Sequence, residues 1–169
     1  AKSLYHAVAR TFDPLAAYKN PERPSEIGPL EVWWDVRIKT APKVPNNKPD
    51  MVIWNHDLKE CTIVEIGVPL DVNVPRTESE KAEKYTPLML GLQRLYQKFK
   101  IQVVPIVIGA TGHITKNLKR HLVQLGFKER EVNPVISKLH ERAIMGTVKI
   151  VKSALAKVPN STVKRNRLR

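Results

Sequence analysis

Two acidic residues occupy neighbouring runs of apolar sequence. In NNKPDMVIWNHDLKECTIVEIGVPLD, residues 46–71, Asp50 begins the first run and Glu65 lies inside the second. A hairpin centred on the polar segment between the runs pairs Asn55 with Glu60, and the same ladder places Asp50 opposite Glu65. Opposed side chains lie on one face of a sheet with their Cβ atoms about 4.5–5.5 Å apart. Because like charges at that distance are destabilising, the two carboxylates need a compensating partner.

A divalent cation between the carboxylates would remove the repulsion. Mg²⁺ prefers oxygen ligands, and one or two carboxylates commonly hold it together with waters and a phosphate. Such an ion polarises a phosphodiester and lowers the pKa of a bound water. In the alternative interpretation, Asp50 caps the start of its strand and Glu65 pairs with a lysine. A register shift of one residue would place the two acids on opposite faces.

Four segments around these acids have the patterns of strands. Residues 31–39, EVWWDVRIK, alternate in polarity, and DMVIW and CTIVEIGV follow as two further strands. The run IQVVPIVIG is nearly all apolar, which is typical of a strand covered on both faces. Pro105 within this run indicates that one side lacks a full hydrogen-bonding partner. A helical crossover should bring this fourth strand parallel to the third.

A helix is predicted before the fourth strand, and another at the start of the chain. Thr77 and Glu80 have the spacing of a capping box, so the crossover helix should begin there and continue through residue 99. Pro87 should kink or break it, because proline removes a backbone donor and disfavours helical geometry at Thr86. Residues 4–12 predict a short first helix.

Two helices should follow the fourth strand. One begins near Thr115 and ends at Gly126. Asn133 and Pro134 predict the N-cap and first position of a long last helix. The order predicts an α/β fold, a mixed four-stranded sheet flanked by helices, with an α-β-β-β-α-β core and additional C-terminal helices.

The composition points to a single basic domain. The 169 residues are 42% hydrophobic, which predicts one globular domain over residues 1–158 and a basic tail over 159–169. A formal net charge of +13 indicates an anionic partner, nucleic acid first and a membrane surface second. Cys61 is the single cysteine, and no run is long and apolar enough to span a membrane. Because the chain starts at Ala1, we expect a domain excised from a larger polypeptide.

The ordered set of motifs resembles the PD-(D/E)XK nuclease superfamily. The segments KPDMVIW and IVEIGVPLDVNV, with WWDVRI, EKAEKY, VVPIVIGATG and AIMGTVKIVKSAL, are similar to the restriction-like endonuclease domain of site-specific non-LTR retrotransposons. The resemblance covers most of the chain and implies a restriction-endonuclease-like fold and a DNA endonuclease using Mg²⁺ or Mn²⁺. Its nick would expose a 3′-hydroxyl that primes reverse transcription. The implied location is nuclear, with DNA and the upstream reverse transcriptase and DNA-binding parts of the polyprotein as partners.

The resemblance also implies roles for individual residues. Asp50 and Glu65 match the motif acids and would be catalytic and metal-binding. The motif lysine would stand two residues after the acid, where this chain has Gly67. The following helix supplies Lys81 or Lys84 instead. On a continuous helix the apolar stripe extends back to Lys81, with Lys84 about 60° to one side, so we expect Lys81 to be the catalytic lysine.

Other residues are assigned accessory or binding roles. Asp71 could assist the metal or serve as a turn residue, and Tyr85 could contact DNA or pack in the core. The basic residues expected to track phosphates are Lys48, Lys116, Lys119, Arg120, Lys164, Arg165 and Arg167. The alternative function is a basic nucleic-acid-binding module that has the nuclease fold and cleaves little or not at all in isolation.

Overall fold

The computed structural model describes residues 25–27 and 30–157. The helix predicted at residues 4–12 and the basic tail lie outside the described residues. The strands are β1 (Ser25–Ile27), β2 (Leu30–Trp34), β3 (Met51–Asn55), β4 (Glu60–Gly67) and β5 (Lys100–Val107). The helices are α1 (Val74–Lys84), α2 (Thr86–Leu95), α3 (Asn117–Gln124) and α4 (Glu129–Ala156), and a 3₁₀ turn (Asp71–Asn73) leads into α1.

The strands form one open mixed sheet in the order β1-β2-β3-β4-β5. The pairs β1–β2, β2–β3 and β3–β4 are antiparallel, and β5 runs parallel to β4 after the α1–α2 crossover. The four longer strands are those that the sequence predicts, and the three-residue β1 extends the sheet beyond them. β5 lies at the opposite edge, which agrees with Pro105 inside it because an edge strand tolerates a missing donor. The α/β class is therefore confirmed.

The β3–β4 hairpin has the predicted register. Asn55 pairs with Glu60 and Met51 with Val64. The Asn55 side chain closes the turn by accepting a hydrogen bond from the Leu58 backbone N–H at 3.0 Å. This register continues outward to place Asp50, the residue before β3, opposite Glu65.

Alternate side chains of the sheet enter two separate cores. β3 shows the division, because Met51 and Ile53 pack with α3 and α4 while Val52 and Trp54 pack with α2. Successive side chains of a strand point to opposite faces, so two helical layers can cover the sheet. Leu88 of α2 belongs to the second of these cores. By strand alternation, Asp50 and Glu65 lie on the face of the sheet that this core covers.

The first predicted strand is shorter than its pattern indicated. β2 ends at Trp34 rather than continuing to residue 39. Asp35 has a φ of 50°, a left-handed conformation that breaks the extended chain. Ile38 beyond the break is nonetheless buried in the α2-side core. The alternation of apolar residues in the sequence continues past the end of the strand, although Val36 is exposed, and this lengthened the prediction.

Two predicted helix starts are wrong. α1 begins at Val74, with Pro75 in its first turn, and Glu80 binds Arg76 at 2.6 Å instead of forming a capping box. α4 begins at Glu129, so Pro134 lies inside the helix. Its start is fixed by Glu131, whose carboxylate accepts the Lys128 backbone N–H at 2.9 Å. This capping contact acts one turn before the Asn-Pro pair that the sequence prediction favoured.

Two further helix boundaries follow the prediction, but α2 ends at Leu95 instead of continuing through residue 99. The chain breaks between α1 and α2 at Tyr85, as expected next to Pro87. α3 ends just before Gly126, which has the positive φ of 93° common after a helix C-terminus. None of the helices in the described ranges is long and apolar enough to cross a membrane.

Candidate active site

Backbone groups hold the two acids together at one end of the sheet. Asp50 Oδ2 accepts the Ile66 N–H at 2.7 Å, and Glu65 Oε2 is 3.3 Å from the Asp50 N–H that donates to it. Each carboxylate is therefore fixed by the main chain of the other strand. The hairpin register makes these bonds available, and the β3–β4 turn lies at the opposite end of the sheet.

Both candidate lysines reach the same oxygen of Glu65. Lys81 Nζ lies 3.0 Å and Lys84 Nζ 3.1 Å from Glu65 Oε1. The lysines are three residues apart in the last turn of α1, so they share one side of the helix. Glu65 is only 4% exposed, whereas the Lys81 and Lys84 side chains are 20% and 41% exposed. Distance does not separate the two lysines, but Lys81 is the more enclosed.

The Lys81 side chain fills the space beside Gly67. A Cβ atom placed on Gly67 would lie 2.7 Å from Lys81 Cε and 3.3 Å from its Cδ. The absence of a side chain on β4 therefore makes room for one from α1. The sequence prediction reached Lys81 by a different route, the continuity of the helical stripe, which the break at Tyr85 removes.

The electrostatic environments of the two acids differ. Burial would raise the pKa of Glu65, but hydrogen bonds and charge from Lys81 and Lys84 outweigh it and hold the pKa below its usual value. Burial raises the pKa of Asp50, and the adjacent Glu65 charge raises it further against the backbone bond from Ile66. Folding thus favours the ionised form of Glu65 and disfavours the ionised form of Asp50.

Tyr85 lies in the core beside the site. It is almost fully buried, and its hydroxyl donates to the Lys48 carbonyl at 2.9 Å. Lys84 Nζ lies 4.7 Å from the centre of the Tyr85 ring. Burial, followed by the Glu65 charge, raises the pKa of Tyr85 to about 12, so the hydroxyl stays protonated and a donor. Tyr85 therefore fixes the loop before Asp50.

Asp71 connects two loops. Its carboxylate accepts the Thr111 N–H at 3.1 Å and also binds the Thr111 hydroxyl. A side chain on Gly109 would overlap this carboxylate, so the close approach depends on glycine there. In these contacts Asp71 acts as a turn residue, which was the alternative to its role as a metal ligand.

The predicted phosphate-binding residues are found in two places. Lys48, in the loop before Asp50, forms an exposed ion pair with Asp35 at 2.8 Å. Lys116, Lys119 and Arg120 are exposed at and after the start of α3. The chain reaches α3 from the end of β5 that lies beside Glu65, because β4 and β5 are parallel and pair Glu65 with Pro105. Lys164, Arg165 and Arg167 lie outside the described residues.

A second buried acid is not among the site residues predicted from the sequence. Glu78 of α1 is buried, and its Oε2 accepts the Thr115 hydroxyl at 2.9 Å and the Asn117 amide at 3.3 Å. His121 Nδ1 lies 3.3 Å from Glu78 Oε1, and burial lowers the pKa of this histidine. These contacts join α1 to α3 across the β5 edge and border a cleft of about 290 Å³. The signal available was a glutamate at a core-facing position of a helix.

No protein-family model matches the chain, and no curated protein is significantly similar to it.

Proposed function

We propose that this chain is a metal-dependent DNA endonuclease domain with a restriction-endonuclease-like fold. The observation that carries the proposal is Glu65, a buried carboxylate opposite Asp50 that also binds two lysines through one oxygen. In the full proposal the domain belongs to a non-LTR retrotransposon polyprotein in the nucleus. It nicks target DNA there, and the 3′-hydroxyl primes reverse transcription by the upstream part of the polyprotein.

The donor atoms suit Mg²⁺ or Mn²⁺. Asp50 and Glu65 offer hard carboxylate oxygens on one face of the sheet, and these two residues would hold the ion. No larger group of acidic, histidine or cysteine side chains gathers within the described ranges. Mg²⁺ commonly binds through one or two carboxylates and retains waters and a substrate phosphate. The bound ion would supply positive charge to the phosphodiester and lower the pKa of a water.

Asp50 and Glu65 have different tasks in this mechanism. The ionised form of Asp50 is disfavoured in the folded protein, because burial and the charge of Glu65 raise its pKa. Its carboxylate therefore gains from a nearby cation. Glu65 already has two ammonium partners, so it both binds the ion and positions the lysines.

The lysines would bind the reacting groups. With an ion held by Asp50 and Glu65, Lys81 or Lys84 would be available to contact the scissile phosphate or the attacking water. Burial alone would lower the pKa of Lys84, but Tyr85 and Glu65 raise it, which keeps this lysine a cation. Lys84 is therefore suited to stabilising phosphate charge. Lys81 lies beside Gly67, where the motif lysine would stand, and this supports Lys81 as the catalytic lysine.

The test is plasmid nicking by the isolated chain with Mg²⁺ or Mn²⁺ and with EDTA. Asp50→Ala and Glu65→Ala should each abolish metal-dependent nicking while circular dichroism stays that of the folded protein. Glu80→Ala is the matched control, because Glu80 is an exposed carboxylate of α1 paired only with Arg76 among the ion pairs described. Wild-type nicking by either Asp50→Ala or Glu65→Ala would disprove the site assignment.

One observation favours the alternative function, a nucleic-acid-binding module that cleaves little in isolation. Glu65 Oε1 is shared by two lysines, which compete with a metal ion for it. In that case the wild-type chain would bind DNA and give no nicks with either metal. Asp50→Ala and Glu65→Ala would then leave DNA binding nearly unchanged.

A further inference from the structure

The second half of α4 extends beyond the protein core. The buried residues of this helix end at Ala143, but the helix continues to Ala156. Thr147 anchors the start of the extension through a hydrogen bond to the Ala110 carbonyl at 2.9 Å. Apart from Gly146 and Thr147, the residues of the extension are exposed, so its surface is open to a contact from outside the core.

One side of the extension is an exposed apolar stripe. The stripe consists of Ile144, Val148, Val151 and Leu155, which are 42%, 38%, 50% and 66% exposed. Their spacings of four, three and four residues keep them within about 60° of one another around the helix. This is the spacing with which one helix packs along another, side chains of each filling gaps in its partner. We refer to these four residues as the α4 stripe.

One border of the α4 stripe is basic. Lys152 is about 80° from Ile144 around the helix and so borders the stripe, while Lys149 and Lys157 are exposed farther round. No acidic residue follows Glu141 in the sequence. A second copy would bring another basic extension and another charge of +13, so self-association is opposed by repulsion. A phosphate backbone would match the lysines but leave the apolar side chains in water.

We propose that the α4 stripe docks the apolar face of an acidic amphipathic helix supplied by another protein. The partner's apolar side chains would pack along the stripe at the shallow crossing angle of paired helices, about 20°. Acidic residues on one flank of the partner would face Lys152. This inference does not depend on the nuclease proposal, because none of the stripe residues belongs to the candidate active site.

The probe is a synthetic four-heptad peptide with leucine along its seam and glutamate at the flanking positions. A second peptide has the same seam with lysine at those positions. Binding to the full chain is measured by fluorescence anisotropy. The acidic peptide should bind and the basic peptide should bind at least tenfold more weakly. Amide hydrogen exchange should show added protection over residues 144–155 when the acidic peptide is bound.

Paired variants distinguish the stripe from general charge attraction. Val151→Asp should weaken acidic-peptide binding about tenfold or more, because it places an unpaired charge in the apolar contact. Ser153→Asp makes the same change in net charge on the opposite side of α4 and should have a much smaller effect. Both positions are exposed beyond the core, so thermal unfolding should be little changed.

Four results would each overturn the proposal. The acidic peptide fails to bind, or Val151→Asp and Ser153→Asp weaken it equally. The chain alone forms a dimer in sedimentation that Val151→Asp dissociates, which would make a second copy the occupant. The free chain at low concentration already protects residues 144–155 from exchange, and Val151→Asp removes that protection, which would mean that the chain covers its own stripe.

Discussion

At the residue scale, the two acids of the site respond to the fold in opposite ways. Glu65 has its pKa lowered because Lys81 and Lys84 overcome the effect of burial. Asp50 has its pKa raised by burial and by the charge of Glu65. Folding therefore favours the ionised form of one carboxylate and the protonated form of its neighbour. This difference makes the pair testable by stability without any measurement of activity.

The first prediction concerns Asp50→Asn in EDTA. A raised folded-state pKa contributes stability that is fully present below the unfolded pKa, about 3.9, and is lost as the pH rises through the folded value. Asp50→Asn removes this loss of stability, because an amide does not ionise, and the amide oxygen can still accept the Ile66 N–H. The variant should therefore be more stable than wild type near neutral pH, by urea unfolding, and the difference should vanish in acid. A variant less stable than wild type at neutral pH would contradict the assignment.

Glu65→Gln should have the opposite pH dependence. A lowered folded-state pKa contributes stability that is present above the unfolded pKa, about 4.3, and is lost as the pH falls through the folded value. At neutral pH the variant should be less stable than wild type by about 1–3 kcal/mol, the usual cost of removing a hydrogen bond to a charged group. The deficit should shrink in acid. Glu80→Gln, on the exposed face of α1, is the control and should change stability by less than about 0.5 kcal/mol.

A lysine exchange tests whether Lys81 occupies the place of a β4 lysine. Lys81→Ala should reduce single-turnover nicking by about 10²-fold or more if it removes a proton-transfer group. Adding Gly67→Lys to that variant should restore much of the rate, because the clash at 2.7 Å disappears with the Lys81 side chain. Gly67 also lies outside the left-handed region, so a side chain is compatible with its backbone.

Lys84→Ala with Gly67→Lys is the matched control for the exchange. Lys81 remains in that variant and competes for the space beside position 67. No restoration is expected there. Equal restoration in both backgrounds would mean that an added lysine acts by charge alone, and no restoration in either would remove the link between Gly67 and Lys81.

The pairing of Asp50 with Glu65 was predictable because it depends on two regular properties. Strand alternation fixes the face, and a symmetric turn fixes the register. The Ile66 N–H that orients Asp50 was not predictable, since every residue type offers the same donor. The joint binding of Glu65 by Lys81 and Lys84 was also missed. It depends on where α1 crosses the sheet, which the spacing within α1 does not reveal.

At the element scale, α1 connects the candidate site to the other layer of helices. Its last turn carries Lys81 and Lys84, and one turn earlier Glu78 faces Thr115 and Asn117 at the start of α3. The break at Tyr85 separates α1 from α2, so α1 needs its own attachment to the protein. The buried Glu78 contacts contribute to this attachment, together with the packing of α1 against β5 and β4.

Glu78→Ala should therefore destabilise the fold and disturb the site. Loss of the bonds to Thr115 and Asn117 should lower the free energy of unfolding by about 1.5–3 kcal/mol, as for hydrogen bonds to a charged group. Urea unfolding measures this change, with Glu80→Ala as the exposed control in the same helix. A cost below about 0.5 kcal/mol would show that α1 is held by other contacts.

Helix boundaries were the least predictable elements, for a local reason. Thr77–Glu80 and Asn133–Pro134 both have the composition of helix starts, but each lies inside a helix that begins earlier. Val74 is buried and Pro75 fits the first turn, while Glu131 caps the Lys128 N–H. Several starts were thus compatible with each sequence, and tertiary packing selected one.

At the scale of the whole molecule, charge is placed at both ends of the sheet. Lys116, Lys119 and Arg120 follow the end of β5 that lies beside Glu65. Lys59, Lys98 and Lys100 are exposed near the β3–β4 turn, at the opposite end. The net charge of +13 attracts DNA from any direction, but only residues near the candidate active site can hold a phosphodiester against that site. The two groups of three can therefore be compared at equal charge.

Neutralising the three residues near the site should weaken DNA binding more than neutralising the three at the turn. Removing one ion pair with a phosphate should reduce the slope of log affinity against log salt by about 0.9. Lys116→Gln with Lys119→Gln and Arg120→Gln should thus lower the slope by up to about 2.7, measured by anisotropy in EDTA with duplex DNA. Lys59→Gln with Lys98→Gln and Lys100→Gln should leave the slope nearly unchanged, although that variant has the same net charge.

The decrease in affinity should be similar for all duplex sequences, because phosphate contacts carry no base information. Equal slopes for the two triple variants would mean that DNA follows the overall charge, and a larger decrease from the turn variant would place the binding face at the other end of the sheet.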